Sequence, residues 1–600
     1  MSVFSRQFDD DDLPWFKRRS FVRAALVVLA VVLVFGGWLG FKALSAKSSL
    51  EQARNSAQQS KDALLGGNTA DASRFAAEAE SHAQAARNAT HSAPWNIASA
   101  VPLLGAPFKT GQQISDVVLG LATTVLKPTA DAGVAVAPNQ MFANGQLNVQ
   151  ALRKQEPALS TIAADAARLN TDAQAITNPH FPLISGARSQ LQEQTSDIAK
   201  LLGNTSLAAK VAPSLMGADG PRSYFMGFQT NAEARGTGGL LGGFGILRFD
   251  NGKPSVGRLG PNTTLQEGPF TPFSVNPEFD KQYGFTNPTT DIRNSNQSSH
   301  FPYAAQIWKS MWAQQSGMNV DGVIAIDPVA LSYILGATGP ITMPDGETVT
   351  ENNVVELTES TVYSRFPTDQ TARKQYLQDI ASEVVKKITK PLESPRKLLD
   401  ALGRAVSERR LSVWSSNPAD QKLLEETPLA HVIPDDPAPF AEVVINNLGG
   451  NKMDYYLTRE IEYAADGCKG GTRESTVTVR LTNTVEDPNS LTDYAGGRLG
   501  FHPEIEADIP KGTMFTSVRL LATKDARLAN VLVDGQRTPV FQSTEREHPS
   551  FEAQVAIPPG KSVELVFQLS EPTPPGEPRV PVQPLRDEVT PKVSVPACSR

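Results

Sequence analysis

The strongest pattern along the chain is an uninterrupted apolar run. Residues 24–41 read AALVVLAVVLVFGGWLGF, without a charged side chain. As a helix this run rises roughly 27 Å, close to the ~30 Å hydrocarbon core of a bilayer. Lys17, Arg18, Arg19 and Arg23 precede it, whereas Lys42 and Lys47 alone follow it closely. That asymmetry makes residues 1–23 a cytoplasmic tail and sends the body of the chain across the membrane. Trp15 and Trp38 suit the two interfaces. The competing reading is a cleaved signal peptide, for which Ala43-Leu44-Ser45 offers a small-x-small site. The run exceeds the usual h-region of about 7–15 residues, which favours a retained, single-pass anchor.

From 45 to 215 the apolar residues recur at helical spacing. Leu50, Ala53, Ala57 and Leu64 begin the series, Gly66-Gly67-Asn68 interrupts it, and 71–89 resumes it as the second arm of a helical hairpin. Helices are also predicted over 112–126, 148–176 and 186–210. Few aromatic residues occur here, so thin helix–helix seams of a stalk or bundle are expected rather than a ligand pocket.

Near Pro221 the pattern changes to strands alternating with helices, which predicts an α/β or α+β domain over 216–450. RSYFMGFQT is a buried strand, followed by a glycine-rich loop. Asp250-Asn251-Gly252-Lys253 is a hairpin turn. Residues 301–315 form a helix with Trp308 and Trp312 on one face. DGVIAI at 321–326 is a strand, Pro328 opens a helix capped by Asp327, and 371–387 is a long helix. From 453 to 571 alternating runs such as DYYLTREIEYA and STVTVRLTNTV predict a β-sandwich. Residues 572–600 carry many prolines and read as an extended tail with a terminal strand.

Composition narrows the functional classes. The formal net charge is -7 and no long basic stretch occurs, which argues against a nucleic-acid partner. Cys468 and Cys598 lie in no CxxC or Cys/His cluster, so no metal site is expected. In an exported chain they suit one disulfide, the alternative being two independent thiols. No HExxH or GxSxG spacing occurs, so metallo- and serine-hydrolase chemistry has no motif here.

The chemistry concentrates in QTNAEARGTGGLLGGFG, residues 229–245. Glycine lets backbone N–H groups approach an anion, and Asn231, Glu233 and Arg235 are polar neighbours. The spacing is neither GxGxxG nor GxxxxGK[ST], and a tight structural turn explains the glycines equally well. This stretch resembles the bacterial family called domain of unknown function 4012. Asn231-Ala232-Glu233, Arg235, Thr237-Gly238-Gly239 and Gly242 match its pattern; Thr230 and Gly243 depart from it. The block from Asp321, the segment 336–340 and Gly449-Gly450-Asn451-Lys452 also resemble the family. The resemblance implies an anchored envelope protein of a kind widespread in actinobacteria.

A more distant likeness is to the LytR-CpsA-Psr phosphotransferases. It rests on 323–341 and on Tyr363, Arg365, Asp369, Arg373 and Gln375, with Pro367 replacing a second arginine. It implies a phosphotransferase moving glycopolymer from a polyprenyl-pyrophosphate carrier to the wall, with Mg²⁺ as cofactor. On that reading Arg235, Arg365 and Arg373 converge on a phosphate beside an apolar groove, and Glu233 or Asp369 holds a cation. Gly236, Gly238, Gly239, Gly242, Asn231, Tyr363 and Gln375 are the candidate ligand contacts. The plainer reading treats Arg365–Asp369 and Glu233–Arg235 as structural ion pairs. The favoured expectation is a non-enzymatic, membrane-anchored protein that binds or scaffolds wall polymer, or envelope partners through the stalk.

Overall fold

The computed structural model describes residues 19–598 except 103–104, 133–141, 144, 179–181, 267, 391–393, 469 and 498–508. The chain divides into a helical unit, 1–141 with 151–209, and a second unit, 142–150 with 210–600.

In the helical unit α1 (Arg19–Leu65) and α2 (Thr69–Thr90) form the expected hairpin. Asn68 ends the turn by accepting the Asp71 N–H at 3.1 Å. Ala72, Ala76, Ala79, Ala83 and Ala86 are all buried along α2. Their three-four spacing makes a narrow alanine seam, which brings helices close and leaves no room for a pocket. α3 (Ala106–Gly120), α4 (Val149–Gln174) and α5 (Pro182–Leu215) complete the helical series. Residues 24–41 fall within α1. Among the described residues no helix is long and apolar enough to cross a membrane. The side chains of 24–28, 31 and 32, part of the expected span, lie outside the described residues, as do those of Arg19 and Arg23 and the residues Trp15, Lys17 and Arg18.

The second unit begins with a mixed five-stranded sheet. Its strands are β1 (Arg222–Arg235), β2 (Gly238–Asp250), β3 (Lys253–Pro261), β4 (Gly322–Ile326) and β5 (Leu411–Ser415), ordered β3-β2-β1-β4-β5. Only β1 and β4 are parallel neighbours in it. The β2–β3 turn places Asn251 and Gly252 at φ 47° and 83°, the left-handed pair that a tight hairpin requires. One sheet face is covered by α6 (Phe301–Ser316), where Trp308 and Trp312 pack on Phe225 and Phe244. Near the other lie α7 (Pro328–Thr338) and α8 (Gln370–Ile388).

The expected glycine-rich loop is instead a hairpin. β1 and β2 pair almost to their ends, leaving Gly236-Thr237 as the turn. A Cβ on Gly239 would lie 2.1 Å from the Thr230 oxygen. The glycines there serve close strand contact, not an open cradle.

The sandwich comprises β6 (Ala441–Asn447), β7 (Leu457–Ala465), β8 (Thr472–Asn483), β9 (Met514–Ala522), β10 (Arg527–Val533), β11 (Phe541–Glu545), β12 (His548–Ile557), β13 (Ser562–Pro572) and β14 (Lys592–Ser594). One sheet runs β6-β9-β12-β11 and the other includes β10-β13-β8-β7-β14. β6 falls before 453 in sequence yet pairs with β9, so the sandwich takes a strand that the pattern placed in the preceding domain. The terminal strand adds to β7 in parallel, and Cys468 and Cys598 form a disulfide.

Candidate functional site

On the α8 side of the sheet lies an apolar cavity of about 240 Å³. Its walls follow from two periodicities. Met226, Phe228 and Thr230 alternate along β1, so all three point to this face. Leu377, Ile380, Ala381, Val384, Val385 and Ile388 recur at helical spacing and turn one face of α8 to the cavity. Leu247, Val256 and Leu259 come from β2 and β3, and Leu331 and Ile334 from α7. Gly242 and Gly243 leave the sheet surface bare there.

The cavity is polar at some of its lining residues, and these include Thr230, Asn262, Asp327, Glu359, Tyr363, Arg373, Lys374, Lys452 and Tyr494. Arg373 sits four residues into α8 and is 3% exposed. Its guanidinium lies 3.8 Å from the Tyr494 ring centre and 5.6 Å from that of Tyr363. Nη1 donates to the Phe366 carbonyl at 3.0 Å, but Nη2 is buried without a partner. Lys374 donates to the Asn262 side-chain oxygen. Burial, with Arg373 and Lys452 nearby, pushes its ammonium down to about 8.

Glu359 lies in a π-helical turn, Leu357–Thr361. It accepts the Asn231 N–H at 3.0 Å and also the Ala232 N–H. Those donors are free because β1 loses its regular pairing with β2 between Thr230 and Ala234. Burial pushes the Glu359 carboxyl up to about 8, so it is held mainly neutral at pH 7. Asp327 caps α7 through the Ala330 N–H at 2.8 Å, as the sequence predicts, and also pairs with Arg410 at 2.8 Å.

The three arginines expected to converge do not. Arg235 is buried against Glu233 at 2.9 Å and also donates to the Arg293 and Asn447 carbonyls. Glu233 further accepts from Lys452, and although burial opposes its charge, the two cations hold its carboxyl below the usual range. Arg365 pairs with Glu347 through both nitrogens, at 2.8 and 2.7 Å, beside Tyr376. It does not line the cavity. Arg373 alone of the three does. Asp369 does not meet Arg365 or a cation site; it caps α8 by accepting the Ala372 N–H. The Asn231 backbone N–H donates to Glu359 and its Nδ2 to the Pro584 carbonyl, while its Oδ1 is buried without a partner. Gln375 bonds Asp379 on an exposed part of α8. Gly236, Gly238 and Gly239 belong to the hairpin, whereas Gly242 and Tyr363 do line the cavity.

Lys374, Lys452, Glu359, Asn262 and Tyr494 were not singled out as site residues from sequence. Lys374 follows Arg373 directly, and Lys452 ends the Gly449-Gly450-Asn451-Lys452 block, so both carried a local signal. Glu359, Asn262 and Tyr494 carried none, because only the fold brings them to this place. No group of three or more His, Cys, Asp or Glu side chains suited to a metal occurs among the described residues.

No curated protein and no solved structure matches the chain. A family model does match, and its span covers the central hairpin, α6, α7 and the Glu359 turn, ending at Tyr363 just before α8. Over residues 219–363 the chain matches the model of the family described as "Protein of unknown function (DUF4012)".

Proposed function

We propose that this is a membrane-tethered, extracytoplasmic envelope protein whose central domain holds an amphiphile. The apolar chain of the ligand fills the cavity against α8, and an anionic head meets Arg373. One observation carries the reading: an apolar cavity lined by a buried guanidinium whose Nη2 has no partner. Leaving a buried charged donor unmet is costly, and an incoming anion relieves that cost. The tether rests on the charge-free run 24–41 with its N-terminal basic cluster. The buried alanine seam along α2 suits a spacer or a surface for envelope partners. Wall polymer remains the partner class for the outer surfaces.

The phosphotransferase reading needed three arginines on one phosphate and a carboxylate free for Mg²⁺. Arg235, Arg365, Glu233 and Asp369 are each engaged elsewhere, so binding rather than transfer is the better-supported reading.

The test is to extract the full chain with its surrounding lipid in polymer discs and analyse what it retains. The wild type is expected to keep about one amphiphile per chain beyond the bulk lipid, and the Gly242→Leu variant to lose it. Equal retention by both would contradict the reading. Resistance of the chain to alkaline extraction from membranes, lost when 24–41 is deleted, checks the tether.

A further inference from the structure

Resting on that reading, we infer that the cavity selects a head group carrying two negative charges, a phosphate monoester, over singly charged carboxylates and sulfate esters. The argument is a count of charges among the cavity-lining residues. Asp327 is matched by Arg410. Lys452 is matched by Glu233, which must also serve Arg235. Among the described residues Arg373 and Lys374 are paired with no carboxylate: the first meets a carbonyl and two tyrosine rings, the second a side-chain amide. The lowered lysine and the protonated Glu359 agree with a site short of negative charge.

A carboxylate or sulfate ester brings one charge and leaves one cation unmatched. A phosphate monoester brings about -1.5 to -2 near neutral pH and has three terminal oxygens. One of these meets the open Nη2 of Arg373 while another faces the Lys374 ammonium, and such charge-assisted bonds are the strong ones. No bond in the ligand is broken; the inference concerns recognition alone.

The experiment titrates dodecyl phosphate, dodecyl sulfate, dodecanoate, dodecanol and inorganic phosphate into the full chain in lipid nanodiscs at pH 7.5, subtracting empty discs. Dodecyl phosphate is expected to bind at least tenfold tighter than the sulfate and the dodecanoate. Arg373→Gln and Lys374→Gln are each expected to erase that preference while leaving dodecanol unchanged. Lys374 is only partly buried, so its variant answers the question if Arg373→Gln does not fold. Equal binding of phosphate and sulfate would overturn this inference and leave the amphiphile reading standing. Inorganic phosphate binding as tightly as dodecyl phosphate, or no alkyl ligand binding at all, would overturn both.

Discussion

Arg373 and its chain neighbour Lys374 show how one helix position gains a task that its sequence only half announces. The phosphotransferase likeness drew attention to Arg373, but the same likeness pointed to Arg365 and Asp369, which the fold uses for an exposed ion pair and a helix cap. A guanidinium looks alike in both settings until its partners are known. At this scale pH is the direct probe. Lys374 loses its charge above about 8, and Glu359 gains one above about 8. Both changes act against an anion; the charged groups beside them are Arg373 and Lys452 for Lys374, and Asp327 for Glu359. Affinity for dodecyl phosphate is therefore expected to fall at least tenfold between pH 7 and pH 9.5, and Lys374→Gln to flatten that profile, as read by titration in nanodiscs. Glu359 also links pH to stability. Its acid is held protonated in the folded state up to about 8, against an ordinary value of 4.5, so its contribution to stability is lost as pH rises through that window. Removing Glu233 isolates two buried cations, Arg235 and Lys452. Glu233→Ala is expected to cost about 3–5 kcal/mol, whereas breaking the part-exposed Arg365–Glu347 pair costs at most about 1 kcal/mol; chemical denaturation measures both.

Among the elements, those with a strong period were legible. α6, α7, α8 and the Asn251-Gly252 turn fall where the apolar pattern and turn chemistry placed them. The glycine stretch was not, because glycine carries no face pattern and a weak strand preference. There the ladder between β1 and β2, not local preference, decides the conformation. The cavity was equally hidden: the α8 residues that line it, Leu377 to Ile388, are those a packed core would use, and periodicity cannot tell a filled face from a hollow one. Gly242 offers the test. A Cβ there meets nothing nearer than 3.6 Å, so a side chain enters the hollow without strain. Gly242→Leu is expected to weaken alkyl-chain binding at least tenfold, with the circular dichroism spectrum unchanged.

For the whole molecule, the β-sandwich does more than follow the central domain. It supplies Lys452 and Tyr494 to the cavity, and its tail returns to the central sheet. Gln583 donates to the Arg235 carbonyl at 2.6 Å, the Pro584 carbonyl accepts from Asn231, and that of Leu585 from Arg410. The prolines announced an extended tail, but sequence gave no sign of these long-range contacts. The pairing of Cys468 with Cys598 was legible, since the two cysteines both fall in the C-terminal region and have few alternatives. The disulfide closes a separation of 130 residues. Cys598→Ser is expected to cost about 2–5 kcal/mol, seen as a lower midpoint of thermal unfolding.

The central claim is that an alkyl chain lies between α8 and the sheet, and photo-crosslinking tests it most directly. The full chain in nanodiscs is irradiated with an alkyl phosphate bearing a diazirine at mid-chain, and the labelled peptides are mapped. Labels are expected on the peptides holding Leu377 to Ile388 and Val256 to Leu259, and are expected to disappear with Gly242→Leu. Labels confined to the N-terminal apolar segment, or spread evenly over the surface and insensitive to Gly242→Leu, would contradict the account.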